Sequence, residues 1–314
     1  MNSNKLSRQL DAYLDYKHSL GFKLKHEEYV LRNFVNQTLI AGYTGSLTID
    51  IVLDWIASGA KSNKTMGRKL EVIRPFSKYI SAFDPEADII PNKLFQNVHN
   101  RPEPYIYTKT EVIALMDACD SLFSPDGIRK RSVKCILGLL WSTGMRPSEP
   151  VNVMLRDIDF EKQLIVVRET KFAKERLIPV TSSVIQELII YKDWIEGVIG
   201  KINPDEQLFR TTAGKPMTEQ TLAYAFKTIR KNICAVPKGY PNVRLYDFRH
   251  TFACNIILEW VETGQDANSL LYTLSTFLGH SKIQDTYWYL SATQDLLNRA
   301  CSKYEEKFGG IDND

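Results

Sequence analysis

The sequence predicts a mainly α-helical protein with a small antiparallel β-sheet, arranged as a helical N-terminal domain followed by a larger α+β domain. Three observations carry this. Apolar residues recur at helical spacing over most of the chain, prolines break that pattern between about residues 85 and 107, and two short β-branched and aliphatic runs flank a basic turn near residue 171. At 314 residues the chain has room for two domains that each bury a core.

The first helix is expected over residues 4–20, with Leu6, Leu10, Tyr13, Leu14 and Leu20 inward and Gly21 ending it in a left-handed cap. A second runs from about His26 to Ile40 on Tyr29, Val30, Phe34 and Val35. A third starts at a Thr48 cap and uses Ile51, Leu53, Trp55 and Ile56, and a fourth covers about Lys64 to Phe83 with Leu70, Ile73, Phe76 and Ile80 inward. Pro91, Pro102 and Pro104 disfavour helix at the residues before them, so the expected division is a domain over 1–100, a connection over 101–107 and a second domain over 108–314.

Thr108-Lys-Thr-Glu111 opens the second domain as a capping box. Helical spacing continues from Val133 to Trp141, Gly144 interrupts it, and Pro147 supplies a first-turn residue for a short helix ending near Leu155. Residues 163–168 and 175–180 form the hairpin, with Lys171 and Lys174 at its tip. Further helices are expected over about 182–196, 218–233, 246–262, 268–278 and 293–308.

Composition excludes several classes. Hydrophobic residues make up 44% and charged residues 25%, an ordinary globular balance. The five cysteines (Cys119, Cys135, Cys234, Cys254 and Cys301) are widely spaced and never form Cys-x-x-Cys, which argues against a disulfide framework and against a zinc site; no metal or cofactor is expected, and a reducing cytoplasm fits. No signal peptide and no apolar run of membrane-spanning length is present, so no membrane partner is expected. The net charge of +3 is mild, but Lys61, Lys64, Arg68, Lys69, Arg74 and Lys78 bunch on the fourth helix. Two readings stand for them, a DNA-contacting patch and a solvated helix face.

Two segments near the carboxyl end, Tyr246-Asp-Phe-Arg-His250 and Leu278-Gly-His-Ser-Lys-Ile-Gln-Asp-Thr-Tyr-Trp-Tyr289, bring basic groups and a tyrosine hydroxyl together. A phenol with a pKa near 10 is a costly nucleophile at neutral pH, by about 3 kcal/mol, unless cations or a base assist it. The charge that builds on an attacked phosphodiester calls for arginine, whose fork of donors matches two oxygens and never loses its charge. Arg146, between Gly144 and Pro147, precedes a helix whose N-terminus also favours an anion. Glu149 is placed to hold its guanidinium. A surface arginine on a turn is the plain alternative. Arg249 and Tyr246, three apart on a helix, share an edge, whereas His250 is expected on a different side as a buried structural histidine. His280 either donates to a phosphate oxygen or caps a helix. Expulsion of an alkoxide needs a proton, which Lys171 can deliver, while Lys174 fits a contact to DNA backbone.

These segments, in this order, resemble the tyrosine recombinase or phage integrase family over nearly the whole chain. Thr143-Gly-Met-Arg146-Pro-Ser-Glu149 is similar to its first arginine motif, Thr170-Lys171 through Pro179 to its lysine hairpin, Tyr246-x-x-Arg249-His250 to its second arginine box, and Leu278-Gly-His280 to its second histidine. Tyr289 occupies the nucleophile position, with Tyr287 turned roughly 200° away. Tyr246 stands where the family usually has histidine. The resemblance implies a helical core-binding (SAM-like) first domain, a C-shaped clamp on duplex DNA bearing specific recombination sites, a 3′-phosphotyrosyl intermediate, and a tetramer on DNA formed from protomers that are monomers when free. It implies a bacterial, cytoplasmic, nucleoid-associated enzyme, and Tyr13 through Phe22 resemble transposon-encoded members. A type IB topoisomerase and a catalytically idle DNA-binding protein of this fold are the alternatives.

Overall fold

The computed structural model describes residues 5–59, 62–92, 94–95, 98–99, 104–168, 175–232, 243–280, 282–287 and 289. The chain divides into two units, Met1–Pro102 and Glu103–Asp314. Lys61, Lys171, Lys174, Cys234, Cys301 and the helix expected over 293–308 lie outside the described residues.

The first unit contains α1 (Lys5–Ser19), α2 (Lys25–Ile40), α3 (Ile49–Gly59) and α4 (Asn63–Ile80). Their apolar stripes, among them Leu6, Leu10, Phe34, Val52, Trp55, Ile73 and Phe76, meet in one core, each large side chain contributing about 1.5–3 kcal/mol. Ser62 caps α4 by accepting the Thr65 N–H at 3.3 Å. Three residues expected inward or within helices are instead exposed. Leu20 lies past the end of α1, where Gly21 takes φ +84°. Tyr29 sits about 100° around α2 from the Val30 stripe. Phe83 lies past the end of α4. The third helix buries Val52, which was not anticipated, and leaves Ile51 and Leu53 half-buried.

In the second unit, Tyr105 and Tyr107 were expected in a bare connection but are buried in the core. The polar groups of Tyr107 find partners. The Tyr107 N–H donates to Thr251 Oγ1 at 3.0 Å, and its hydroxyl donates to the Arg244 carbonyl at 2.8 Å. Next come α5 (Lys109–Ala118), opened by the expected Thr108–Glu111 capping box, and α6 (Ile128–Thr143). The short helix after Pro147 is α7 (Ser148–Val151) and stops well before Leu155, closed by the Asn152 and Val153 N–H groups donating to carbonyls only three residues back.

A three-stranded antiparallel sheet follows, ordered β1 (Ile158–Asp159), β2 (Leu164–Val167) and β3 (Arg176–Pro179), with Ile165 opposite both Ile158 and Ile178. The two-residue β1 is too short to carry a readable alternation. The remaining helices are α8 (Ser182–Ile199), α9 (Glu219–Ile229), α10 (Asp247–Glu262) and α11 (Ala267–Leu278), after which residues 284–287 and 289 are helical. A second apolar cluster, formed by α10, α11 and Tyr289, packs Ala253, Cys254, Ile257, Leu271, Leu274 and Leu278.

Two glycines end helices in left-handed caps beside each other's partners, Gly144 after α6 (φ +60°) and Gly279 after α11 (φ +66°). A Cβ on Gly144 would fall 2.5 Å from Phe252 Cδ1. Gly144→Ala therefore combines left-handed strain with a clash, and a loss on the order of 1–3 kcal/mol is expected from denaturant unfolding. An unchanged midpoint would remove the glycine requirement.

Candidate active site

Arg249 on α10 organises the pocket. It is wholly buried, not edge-exposed as helix spacing suggested. Its Nη1 donates to the Gly144 carbonyl at 3.0 Å and its Nη2 to the Leu278 carbonyl at 2.5 Å. Those oxygens belong to the C-terminal ends of α6 and α11, where carbonyls lack intrahelical partners and carry the negative end of the helix dipole. A guanidinium is thereby buried with no carboxylate bonded to it among the described residues. Burial lowers its pKa, with Tyr289 opposing that shift, and Nε stays without a hydrogen-bond partner among the described residues.

Arg146 lies on the turn between α6 and α7. Its Nη1 donates to Glu149 Oε1 at 2.9 Å and its Nη2 to the Gly279 carbonyl at 2.9 Å. The expected anion site at a helix N-terminus is absent here. The four-residue α7 is too short, and the Arg146 N–H is already spent on Glu149 Oε2 at 2.7 Å. A third guanidinium, from Arg176 on β3, binds Glu149 through both arms, Nη1 to Oε1 at 2.8 Å and Nη2 to Oε2 at 2.7 Å. Burial alone would raise the pKa of Glu149, but Arg176 and then Arg146 outweigh it and hold the carboxyl below its usual range. Two guanidiniums, of Arg146 and Arg176, thus share the Glu149 carboxylate, and with Arg249 bonded only to neutral carbonyls among the described residues the pocket is cationic.

Arg176 was not picked out from sequence. In Arg-Leu-Ile-Pro the apolar Leu177 looks inward, yet Leu177 is 58% exposed while Arg176 shares the inner face with Ile178. Alternation around Ile178 is the signal that could have found it.

Tyr289 is 2% exposed, and the charge of the Arg249 guanidinium favours its phenolate. Tyr287, the rival, is 49% exposed. Burial pushes the Tyr289 phenol up to about 12 and Arg249 only partly offsets this, so forming phenolate at pH 7.5 costs about 6 kcal/mol. The local cations do not by themselves produce a ready nucleophile.

His280 stacks on Tyr289, with ring centroids 6.0 Å apart and planes 18° from parallel. Its Nδ1 lies 2.7 Å from Oγ1 of the buried Thr286, a second residue that motif reading missed, so Nε2 is the nitrogen left for a ligand. Burial, then Arg249 and Arg146, push the imidazole down to about 4, and it is neutral near pH 7. His250 was expected on another side, but its ring lies 5.2 Å from that of Tyr246 and 5.5 Å from that of Tyr289. Tyr246 and His250 are four apart and so share a helix face. Tyr246 itself precedes α10 and is 40% exposed at the rim.

Two members of the basic cluster on α4 are committed within their own unit. Lys69 Nζ sits 4.2 Å over the Trp55 ring, where burial lowers its pKa. Arg74 donates from Nε and Nη2 to the Pro91 carbonyl at 3.3 and 3.1 Å. Lys64, Arg68 and Lys78 are exposed. Among the described residues no cluster of His, Cys, Asp and Glu could hold a metal, and no helix is long and apolar enough to cross a membrane.

Because the folded protein holds His280 neutral, its stability contribution is complete above the unfolded value near 6.5. It is lost as pH falls from there toward about 4. That loss amounts to up to about 3 kcal/mol. Glu149 loses its own contribution lower, below the usual carboxylate range. Unfolding free energies of wild type and His280→Asn should diverge between about pH 6.5 and 4; parallel curves there would mean a normally titrating imidazole.

Comparison with known proteins identifies the family. The sequence profile of the phage integrase family matches residues 106–295. An integrase/recombinase of Sinorhizobium fredii, y4rB, is 30% identical over 306 residues, covering 95% of this chain and 96% of its own. Tyrosine recombinase XerC of Staphylococcus carnosus is 28% identical, covering 93% and 85%. Among solved structures, the integrase of transposon Tn1549 in complex with transposon right end DNA superposes with a TM-score of 0.62 at 17% identity, over 93% of this chain and 98% of that one. XerH recombinase bound to its difH substrate superposes with a TM-score of 0.63 at 16% identity, over 89% and 79%. Profile match and full-length relatives together establish that the chain belongs to the phage integrase family of tyrosine recombinases.

Proposed function

We propose that the chain is a site-specific DNA recombinase in which Tyr289 is the nucleophile, and the observation that carries this is the buried Tyr289 ring stacked beside His280, its phenolate favoured by the buried Arg249 guanidinium. Tyr289 Oη attacks the scissile phosphorus and loses its proton as the bond to the 5′-oxygen breaks, leaving a 3′-phosphotyrosyl ester and a protonated 5′-hydroxyl. Arg146, Arg249 and neutral His280 take the charge on the non-bridging oxygens. Tyr246 reaches the same oxygens from the rim as a neutral donor. Lys171 gives the 5′-oxygen its proton. One phosphodiester is exchanged for another, so neither a metal nor a nucleotide cofactor is needed to drive the exchange.

A phosphate entering the pocket replaces water as the partner of the free arginine donors and supplies the counter-charge that burial withholds. It also offers an oxygen to the phenolic proton, which lowers the cost of attack. The helical first unit is a core-binding domain that touches DNA backbone through Lys64, Arg68 and Lys78, and the second is the catalytic domain. Four protomers act on two duplexes, each bearing specific recombination sites, and the segment over 293–308 docks onto a neighbour. Duplex DNA is reached in the cytoplasm of a bacterium, at the nucleoid, and the element served is a transposon, in keeping with the Tn1549 integrase as a structural neighbour.

Covalent capture on nicked duplexes tests the assignment. Tyr289→Phe is expected to abolish the protein–DNA adduct and keep DNA affinity, whereas Tyr287→Phe keeps both; an adduct that survives Tyr289→Phe would falsify the nucleophile. Affinity should fall steeply with salt, log K against log salt having a slope of about −0.9 per phosphate neutralised. Binding indifferent to salt removes the phosphate contacts from this reading.

A further inference from the structure

Glu149 is saturated. A carboxylate has about four acceptor sites, and here they receive the Arg146 N–H, Arg146 Nη1, Arg176 Nη1 and Arg176 Nη2. The two arginines do not hold it equally. Arg176 grips both oxygens side-on at 2.8 and 2.7 Å, while the Arg146 guanidinium reaches only Oε1, at 2.9 Å. Arg146 spends its other engaged arm on the Gly279 carbonyl, so among the described residues two of its five N–H donors are used and the rest remain for a ligand.

Arg176 is itself fixed. It is 11% exposed, stands opposite Val167 in the sheet, and packs on Gly279, where an added Cβ would meet its Cδ and Nη1 at 3.1 Å. One side chain thereby joins the sheet, the turn after α6 and the turn that presents His280.

We propose that Arg176 is a positioning residue. By filling half the acceptor capacity of Glu149, it prevents that carboxylate from capturing the Arg146 guanidinium, and so keeps Arg146 turned to the Gly279 carbonyl with donors open to phosphate. This rests on the reading that the pocket takes a scissile phosphate. Without Arg176, Glu149 has two vacant acceptor sites beside a single cation, and a bidentate Arg146–Glu149 pair becomes the favoured arrangement. Arg146 is then drawn off the phosphate by its own neighbour.

The consequence distinguishes this role from packing. Loss of Arg176 should harm the chemical step far more than DNA affinity, because most of the affinity comes from phosphate contacts elsewhere. Removing the Glu149 charge as well should release Arg146 and recover part of the loss. A purely structural contact gives no such recovery, since each truncation then only adds damage.

The test uses the full chain and a nicked duplex chosen by covalent capture with wild type from a random-sequence pool. Wild type must form the adduct and Tyr289→Phe must not. If wild type captures no DNA, the recombinase reading fails at that step, and the role of Arg176 falls with it. Given the adduct, Arg176→Gln is expected to slow its single-turnover formation about 100-fold, the scale of an ångström-sized misplacement, with DNA affinity changed less than about threefold. Arg176→Gln/Glu149→Gln should be about tenfold faster than Arg176→Gln alone. Arg176→Lys, which keeps the charge but loses the fork, should fall between wild type and Arg176→Gln, and it carries the test if thermal unfolding shows the glutamine variant misfolded. A double variant no faster than Arg176→Gln, or an Arg176→Lys rate equal to wild type, overturns the proposal while leaving Tyr289 as the nucleophile.

Discussion

Burial of the Arg249 guanidinium against the carbonyl ends of two helices is the constraint on which the site depends. Taking an ion out of water costs several kcal/mol even after relaxation, and proteins commonly meet that cost with a carboxylate. Here the compensation comes from the Gly144 and Leu278 carbonyls, neutral groups that satisfy donors without cancelling charge. The cation stays available to an anionic ligand because no carboxylate among the described residues is bonded to it.

The two helix ends can present those carbonyls because both helices finish in left-handed glycine caps. Gly144 must also be small, since Phe252 occupies the space a side chain would need. Arg146 repeats the device on the Gly279 carbonyl. A pair of glycine caps and a pair of arginines therefore build one cationic pocket, and Glu149, the carboxylate bonded there among the described residues, is divided between Arg146 and Arg176.

The same burial that strengthens electrostatics in the pocket works against the phenol. Tyr289 is pushed up to about 12 and His280 down to about 4, so without a ligand the pocket holds a protonated tyrosine beside a neutral imidazole. The charge that would change this balance belongs to the substrate.

Local sequence was enough for most of the helices, the capping box at Thr108, the turn at Gly144, and the identity of Arg146, Arg249, His280 and Tyr289 as chemically apt side chains, because caps, periodicity and motif spacing act over a few residues. It misled where neighbours in space outrank neighbours in sequence. Lys69 and Arg74 read as free cations until Trp55 and Pro91 claimed them. His250 read as pointing away, yet its ring lies against those of Tyr246 and Tyr289. The depth of Arg249 and the reach of Arg146 to Gly279 were decided by tertiary structure alone, since their bonds to helix ends join residues separated by 105, 29 and 133 positions, and no local pattern records which carbonyl a guanidinium will find.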